Sequence, residues 1–168
     1  MKKLHVANSI TFTRPANTTQ YASGDLVAND ATAASVVPPQ VSVVPLAGLY
    51  LAIKRIQLIK STTSVTTPAF RVHFYTVKPT VTNGDNGAWI SPKAGYLGSI
   101  DVTADRAHSD GASGFGANAA GSEIIAVPAT GRLLWLLIEA RATYTPGSSE
   151  TFTVRVESEY ESTEEEAD

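Results

Sequence analysis

The chain has 168 residues, 43% of them hydrophobic and 17% charged, with a formal net charge of −3 and no cysteine. Charge content below the roughly 25% usual in soluble domains excludes a disordered polyelectrolyte. The missing cysteines exclude disulfides, thiolate zinc sites and cysteine nucleophiles.

The length suits one domain, 1–168, large enough for a real core. Seven of the 16 acidic residues lie between Glu157 and Asp168, which leaves nine acids against all 13 bases in the rest of the chain. The stretch 161–168 therefore reads as an acidic tail. The bases stand singly, with no basic and aromatic cluster, so direct nucleic-acid binding is not expected. No apolar run approaches the roughly 20 residues of a membrane-spanning helix, and MKKLHVANSITFTRP lacks the apolar core of a signal peptide, so no membrane partner is expected.

β-branched residues and regularly spaced turn-formers predict an all-β, antiparallel sandwich or barrel. ITFTRP, GDLVAN, ASVV and QVSVV read as short strands interrupted by Pro15, Pro38, Pro39 and Pro45, as edges and corners require. In LYLAIKRIQLIKS the alternation of Leu49, Leu51 and Ile53 slips at Lys54-Arg55 before Ile56 and Leu58. A β-bulge explains that slip; a helix with Leu49, Ile53 and Ile56 on one face is the alternative. FRVHFYTV puts Phe70, Val72 and Phe74 on one face and Arg71, His73 and Tyr75 on the other. NGDNG at 83–87 predicts a tight turn, and the Gly-rich stretch 105–122 one long exposed loop. About 132–143 and 150–160 read as a hairpin closed by TPGSS. Leu133 to Ile138 have no polar face, so that strand is either covered on both sides or meets another subunit. TFTVRVESEY alternates Phe152, Val154 and Val156 against Thr153, Arg155 and Glu157.

Convergent chemistry is sparse. His5, His73 and His108 stand in three unrelated contexts, with His73 on the polar face of its strand, as a surface or interface histidine. His108, Ser109 and Asp110 are chain neighbours and do not make a triad, whose members need separate rigid supports. Asp85 in NGDNG lacks the spaced ligands of a calcium loop. Gly114, Gly116 and Gly121 do not spell a dinucleotide fingerprint. Trp89 and Trp135 read as packing residues. No catalytic residue, metal ligand or cofactor is expected, and the chain does not read as an enzyme.

The opening ITFTRPANTTQYASGDLVAN carries Thr13, Arg14, Pro15, Asn17, Thr18, Thr19, Tyr21, Gly24 and Asp25 in the order of a TRP-x-(D/N)-T-T-x-Y-x-x-GD stretch. It resembles small virion proteins of tailed bacteriophages, most of all capsid decoration (cement) proteins. FRVHFYTVKPTVTNGDNGAW and GRLLWLLIEARATYTPGSSETFTVRV are similar to such proteins too. The resemblance implies a jelly-roll-like β-sandwich, commonly a homotrimer, made in the host cytoplasm and seated on the outer capsid surface over junctions between major capsid proteins. Cysteine-free composition suits that reducing compartment. Such a protein needs a self-association face, for which the strand with Leu133, Trp135 and Leu137 is the candidate. It also needs a capsid-contacting arm, for which residues 1–12 with Lys2, Lys3 and His5 are the candidate. A head-fibre base or tail-associated glycan-binding module is the alternative, with Trp89, Tyr96 and Phe115 as an aromatic platform.

Overall fold

A computed structural model describes residues 2–43, 50–90, 92–119, 122–127 and 132–162. Residues 163–168 of the acidic tail, and Leu49, lie outside the described residues. Among the described residues eleven strands follow in chain order: β1 (Lys2–Thr13), β2 (Leu26–Val27), β3 (Gln40–Ser42), β4 (Leu51–Lys60), β5 (Ala69–Tyr75), β6 (Tyr96–Thr103), β7 (Arg106–His108), β8 (Gly111–Ala117), β9 (Ile124–Ala126), β10 (Leu133–Ala140) and β11 (Thr151–Ser162). One 3-10 turn, Ala33–Ser35, replaces the strand expected at ASVV.

The strands form two antiparallel sheets. One has the order β1-β11-β4-β8-β7, with β9 added to β4; the other has the order β2-β10-β5-β6, with β3 added to β10. Four antiparallel pairs nest inside one another along the chain: β1 with β11, β2 with β10, β4 with β8, and β5 with β6. That is one long two-stranded ribbon rolled around a core, and β11–β4 and β10–β5 are the seams where successive turns of the ribbon meet. The fold is therefore an eight-strand jelly-roll sandwich with short accessory strands.

Alternation supplies the core. Phe152, Val154 and Val156 of β11 face Phe70, Val72 and Phe74 of β5, together with Leu134, Leu136 and Ile138 of β10. Phe70 packs edge-on to Phe152 at 5.4 Å between centroids. Each such side chain contributes about 1.5–3 kcal/mol when fully buried. The slip in β4 is a bulge at Lys54: Arg55 pairs with Glu157 and Ile53 with Ser158, so Lys54 has no partner across the ladder. The bulge keeps Leu51, Ile53, Ile56 and Leu58 all inward.

Two expectations are corrected. The strands about 132–143 and 150–160 are not a hairpin: β10 and β11 lie in different sheets. The segment 141–150 crosses from one layer to the other, and Tyr144 bridges back to Tyr21. The stretch 105–122 is not one long loop, because β7 and β8 pair within it. Its glycines answer a close approach between strands. A Cβ on Gly114 would stand 1.8 Å from the Thr103 carbonyl oxygen, and one on Gly116 2.2 Å from that of Asp101. There β8 presses on β6 and closes that side of the sandwich. NGDNG is the tight turn expected, with Asn86 at φ 65° and Gly87 N–H donating to the Gly84 carbonyl.

The apolar strand β10 is central in its sheet. Its inner face joins the core, and Leu137 on the outer face packs under Leu26, Ala28, Val36 and Tyr75. The strand is therefore covered on both sides at Leu137, while Leu133 and Trp135 on the same outer face are half-buried.

Candidate functional site

The most densely connected polar groups lie at one end of the sandwich. Arg14 follows β1, and its side chain is fully shielded from solvent. Its Nε donates to the Tyr21 hydroxyl (2.8 Å), one terminal nitrogen to the carbonyls of Pro15, Asn17 and Gly147, and the other to Asn17 Oδ1 and Asp85 Oδ2 (both 2.9 Å). Asp85 also accepts the Tyr21 hydroxyl at 2.5 Å and the Ala28 N–H at 2.9 Å. Burial works against the guanidinium charge, but Tyr21 and Asp85 outweigh it and hold its pKa above the ordinary value. Burial, reinforced by Asp85, pushes the Tyr21 hydroxyl up, so it stays a donor.

A second knot sits against the first. Lys60 Nζ donates to the Thr62 carbonyl, the Thr62 hydroxyl and the Ser64 carbonyl at 2.8, 2.9 and 2.5 Å, and stands 3.6 Å from Glu150. Glu150 in turn accepts the hydroxyls of Tyr144 (2.7 Å) and Thr62 and the Gly147 N–H. Burial pulls the Lys60 pKa down and Glu150 partly restores it. All three ammonium protons are engaged, so this lysine is a tie and not a poised nucleophile. The rings of Tyr21 and Tyr144 stack at 6.4 Å, and Gly147 serves both knots. Together they fasten the segments 14–25, 61–64, 83–87 and 144–150.

A third cluster lies on the outer face of β5. His73 is 2% exposed; its Nε2 is 2.9 Å from Glu139 Oε2, and its ring stacks on Trp89 at 3.8 Å. The other Glu139 oxygen is held by Arg141 at 2.6 Å. Arg71, paired with Asp101, and the Tyr96 hydroxyl, 3.5 Å from Nδ1, complete the surroundings. The expectation of a surface or interface histidine is corrected: loop 81–90 covers this face and buries the ring. Burial, against the pull of Glu139, holds His73 down at about 4, so the neutral ring donates its Nε2–H to Glu139.

That depressed value makes a pH prediction. Below about 6.5 the unfolded histidine takes up a proton that the folded one refuses until about 4. Stability contributed by His73 is complete above the upper value and falls as pH drops through this window, by on the order of 3 kcal/mol. The His73→Gln variant keeps a donor for Glu139 but does not titrate. Denaturant titrations from pH 7 to 4 should show a shallower loss in the variant than in the unsubstituted chain. Equal slopes would contradict the assignment.

The other sequence-derived candidates are placed as follows. Lys2, Lys3 and His5 do not form a free arm; they lie in edge strand β1, which pairs with β11 over its whole length. Lys3 reaches Glu159 at 3.0 Å, and His5 is exposed 3.8 Å from the same carboxylate. Leu133 and Trp135 are half-buried, with Lys78 Nζ 5.8 Å from the Trp135 ring, whereas Leu137 is sealed by its own chain. Trp89 and Tyr96 both flank His73, but Phe115 stands on the other sheet over Arg55, so the three rings do not form one platform. His108 Nε2 meets Ser113 Oγ at 2.8 Å, and among the described residues no carboxylate is hydrogen-bonded to that ring. Among the same residues there is no group of three or more His, Asp or Glu arranged to hold a metal.

The knots escaped the sequence reading, although Arg14, Tyr21 and Asp85 all fell inside motifs it singled out. The signal was an arginine, a tyrosine and an aspartate in segments otherwise built of small turn-formers. Among the described residues no element covers the outer face of the β1-β11-β4-β8 sheet, a mosaic of Lys54–Glu123 and bidentate Arg55–Glu157 pairs with exposed Phe115 and Ile125.

No family model matches the chain, and no curated protein does. Among solved structures it is similar to a chain of the acid-stable capsid of Helicobacter pylori bacteriophage KHP30, at 13% identity and a TM-score of 0.35, over 96% of this chain and 98% of that one. It is also similar to the decameric BFDV capsid protein, at 11% identity and a TM-score of 0.30, over 96% of this chain and 100% of that one. No residue role passes to this chain from either.

Proposed function

We propose that this is a structural virion protein that binds the outer surface of a phage capsid and stabilises it by bridging major capsid proteins. One observation carries the reading: the ionisable groups this jelly roll brings together inside are spent on fastening its own loops. Arg14, Asp85, Lys60 and Glu150 are buried and saturated, and His73 is sealed under Trp89. What the molecule offers outward is a broad, uncovered sheet face with mixed charge and a few apolar side chains. The phage-like opening motif supports the same reading, since Arg14, Asn17, Tyr21 and Asp25 are its structural ties.

A ligand that binds the assembled shell and not its dissociated parts stabilises the shell by mass action. The test is co-sedimentation of the purified protein with shells of the major capsid protein from the virus that encodes it. Saturable binding and a raised shell melting temperature are expected. A folded protein that leaves the shells unbound would overturn the proposal. In the homotrimer implied by the resemblance, Leu133 and Trp135 are the half-buried members of the proposed seam, and Leu137 is covered by its own chain.

A further inference from the structure

The two lateral sides of the sandwich are built differently. On the β6 and β8 side the layers are pinched together through Gly114 and Gly116, and the sheet ends in the three-residue β7. Short edges of that kind are a usual protection against unwanted strand pairing. On the other side the sheet ends in β1, a 12-residue strand with no proline and no break in its register with β11. The N–H of Arg14 donates to the Glu150 carbonyl, and that of Ser61 to the Thr151 carbonyl. This sets the phase: even-numbered residues of β1 bond β11, and the odd-numbered ones from His5 to Thr13 turn N–H and C=O away from it.

The inward row of β1 is Leu4, Val6, Asn8, Ile10 and Phe12, each only half-buried. That row is symmetric about Asn8, with two apolar residues on either side. If two copies of β1 run antiparallel about an axis through Asn8, Leu4 stands opposite Phe12 and Val6 opposite Ile10. Asn8 then meets Asn8, an uncharged polar pair whose side chains reach each other across a non-hydrogen-bonded position. Lys3 falls opposite Thr13, so the basic ends of the two strands lie far apart. Beside Ile10 and Phe12 runs a groove of about 390 Å³, lined by Val37, Pro38, Pro39 and Trp135 together with Asn29, Gln40 and Lys78. Twelve residues of strand span about 40 Å.

We infer that β1 is the self-association edge, and that two copies join β1 to β1 about a two-fold axis at Asn8 into one continuous sheet. This inference is independent of capsid binding. It uses a different edge from the strand with Leu133, Trp135 and Leu137, and it makes pairs.

The absence of cysteine from the chain makes a clean test. Across the axis the two Asn8 Cα atoms would stand at roughly 4.5 Å, within disulfide reach. The Asn8→Cys variant should form a covalent dimer under mild oxidant, while Thr13→Cys should not. Sedimentation of the unsubstituted chain should give twice the chain mass. Asn8→Lys and Asn8→Asp should each be monomeric while keeping the far-ultraviolet dichroism of a β protein, and mixing the two should restore the doubled mass. A monomer, a trimer, or a dimer that the Asn8 thiols do not cross-link would overturn the inference.

Discussion

Replacing Arg14 by methionine should destabilise the fold by about 4 kcal/mol, read as a fall in the denaturant midpoint. The reason is what the substitution leaves behind. Asp85, its side chain only 1% exposed, would lose its ion-pair partner. The carbonyls of Pro15, Asn17 and Gly147 would lose their shared donor as well. A native domain is stable by about 5–15 kcal/mol, so one side chain carries a large share of the margin. Arg14→Lys should recover only part of the loss, because a point charge cannot serve the acceptors on three sides of a planar fork. Combining Arg14→Met with Asp85→Leu should be less destabilising than Arg14→Met alone, since it removes the carboxyl left without its partner. A loss below about 1 kcal/mol would mean the knot is not the tie described.

Gly114→Ala tests the pinched side. The new methyl group would fall on the Thr103 carbonyl oxygen, which is backbone and cannot rotate away. The strands β6 and β8 would have to separate, at a cost of about 3 kcal/mol. Ala117→Ser, on the exposed face of the same strand, should stay within about 0.5 kcal/mol. If the two variants melt together under the same conditions, β6 and β8 do not touch as described.

Both sites show what a single sequence does and does not disclose. Alternation in β5 and β11 was plain, and so was the phase slip at Lys54, because those signals are local and repeat every second residue. The pairing of β10 was not, since a Pro-Gly turn between apolar strands looks the same whether the chain folds back within one sheet or crosses to the other. Gly114 and Gly116 suggested a loop because small residues have two physical meanings, backbone freedom and backbone proximity. Only the position of Thr103 decides between them. Arg14 and Asp85 are 71 residues apart in the chain and meet only once the ribbon has rolled. His73 alternates onto an outer face, and nothing in its own strand announces that Trp89 will close over it.

The most direct measurement is a reconstruction, at a resolution that shows sheets, of the virus particle to which the proposed function assigns this chain. The account predicts jelly-roll density outside a continuous protein shell, spanning the junctions between shell subunits, with the uncovered face of the β1-β11-β4-β8 sheet or its rim in contact. Density of this chain forming the shell itself, or a particle that lacks the chain altogether, would contradict it.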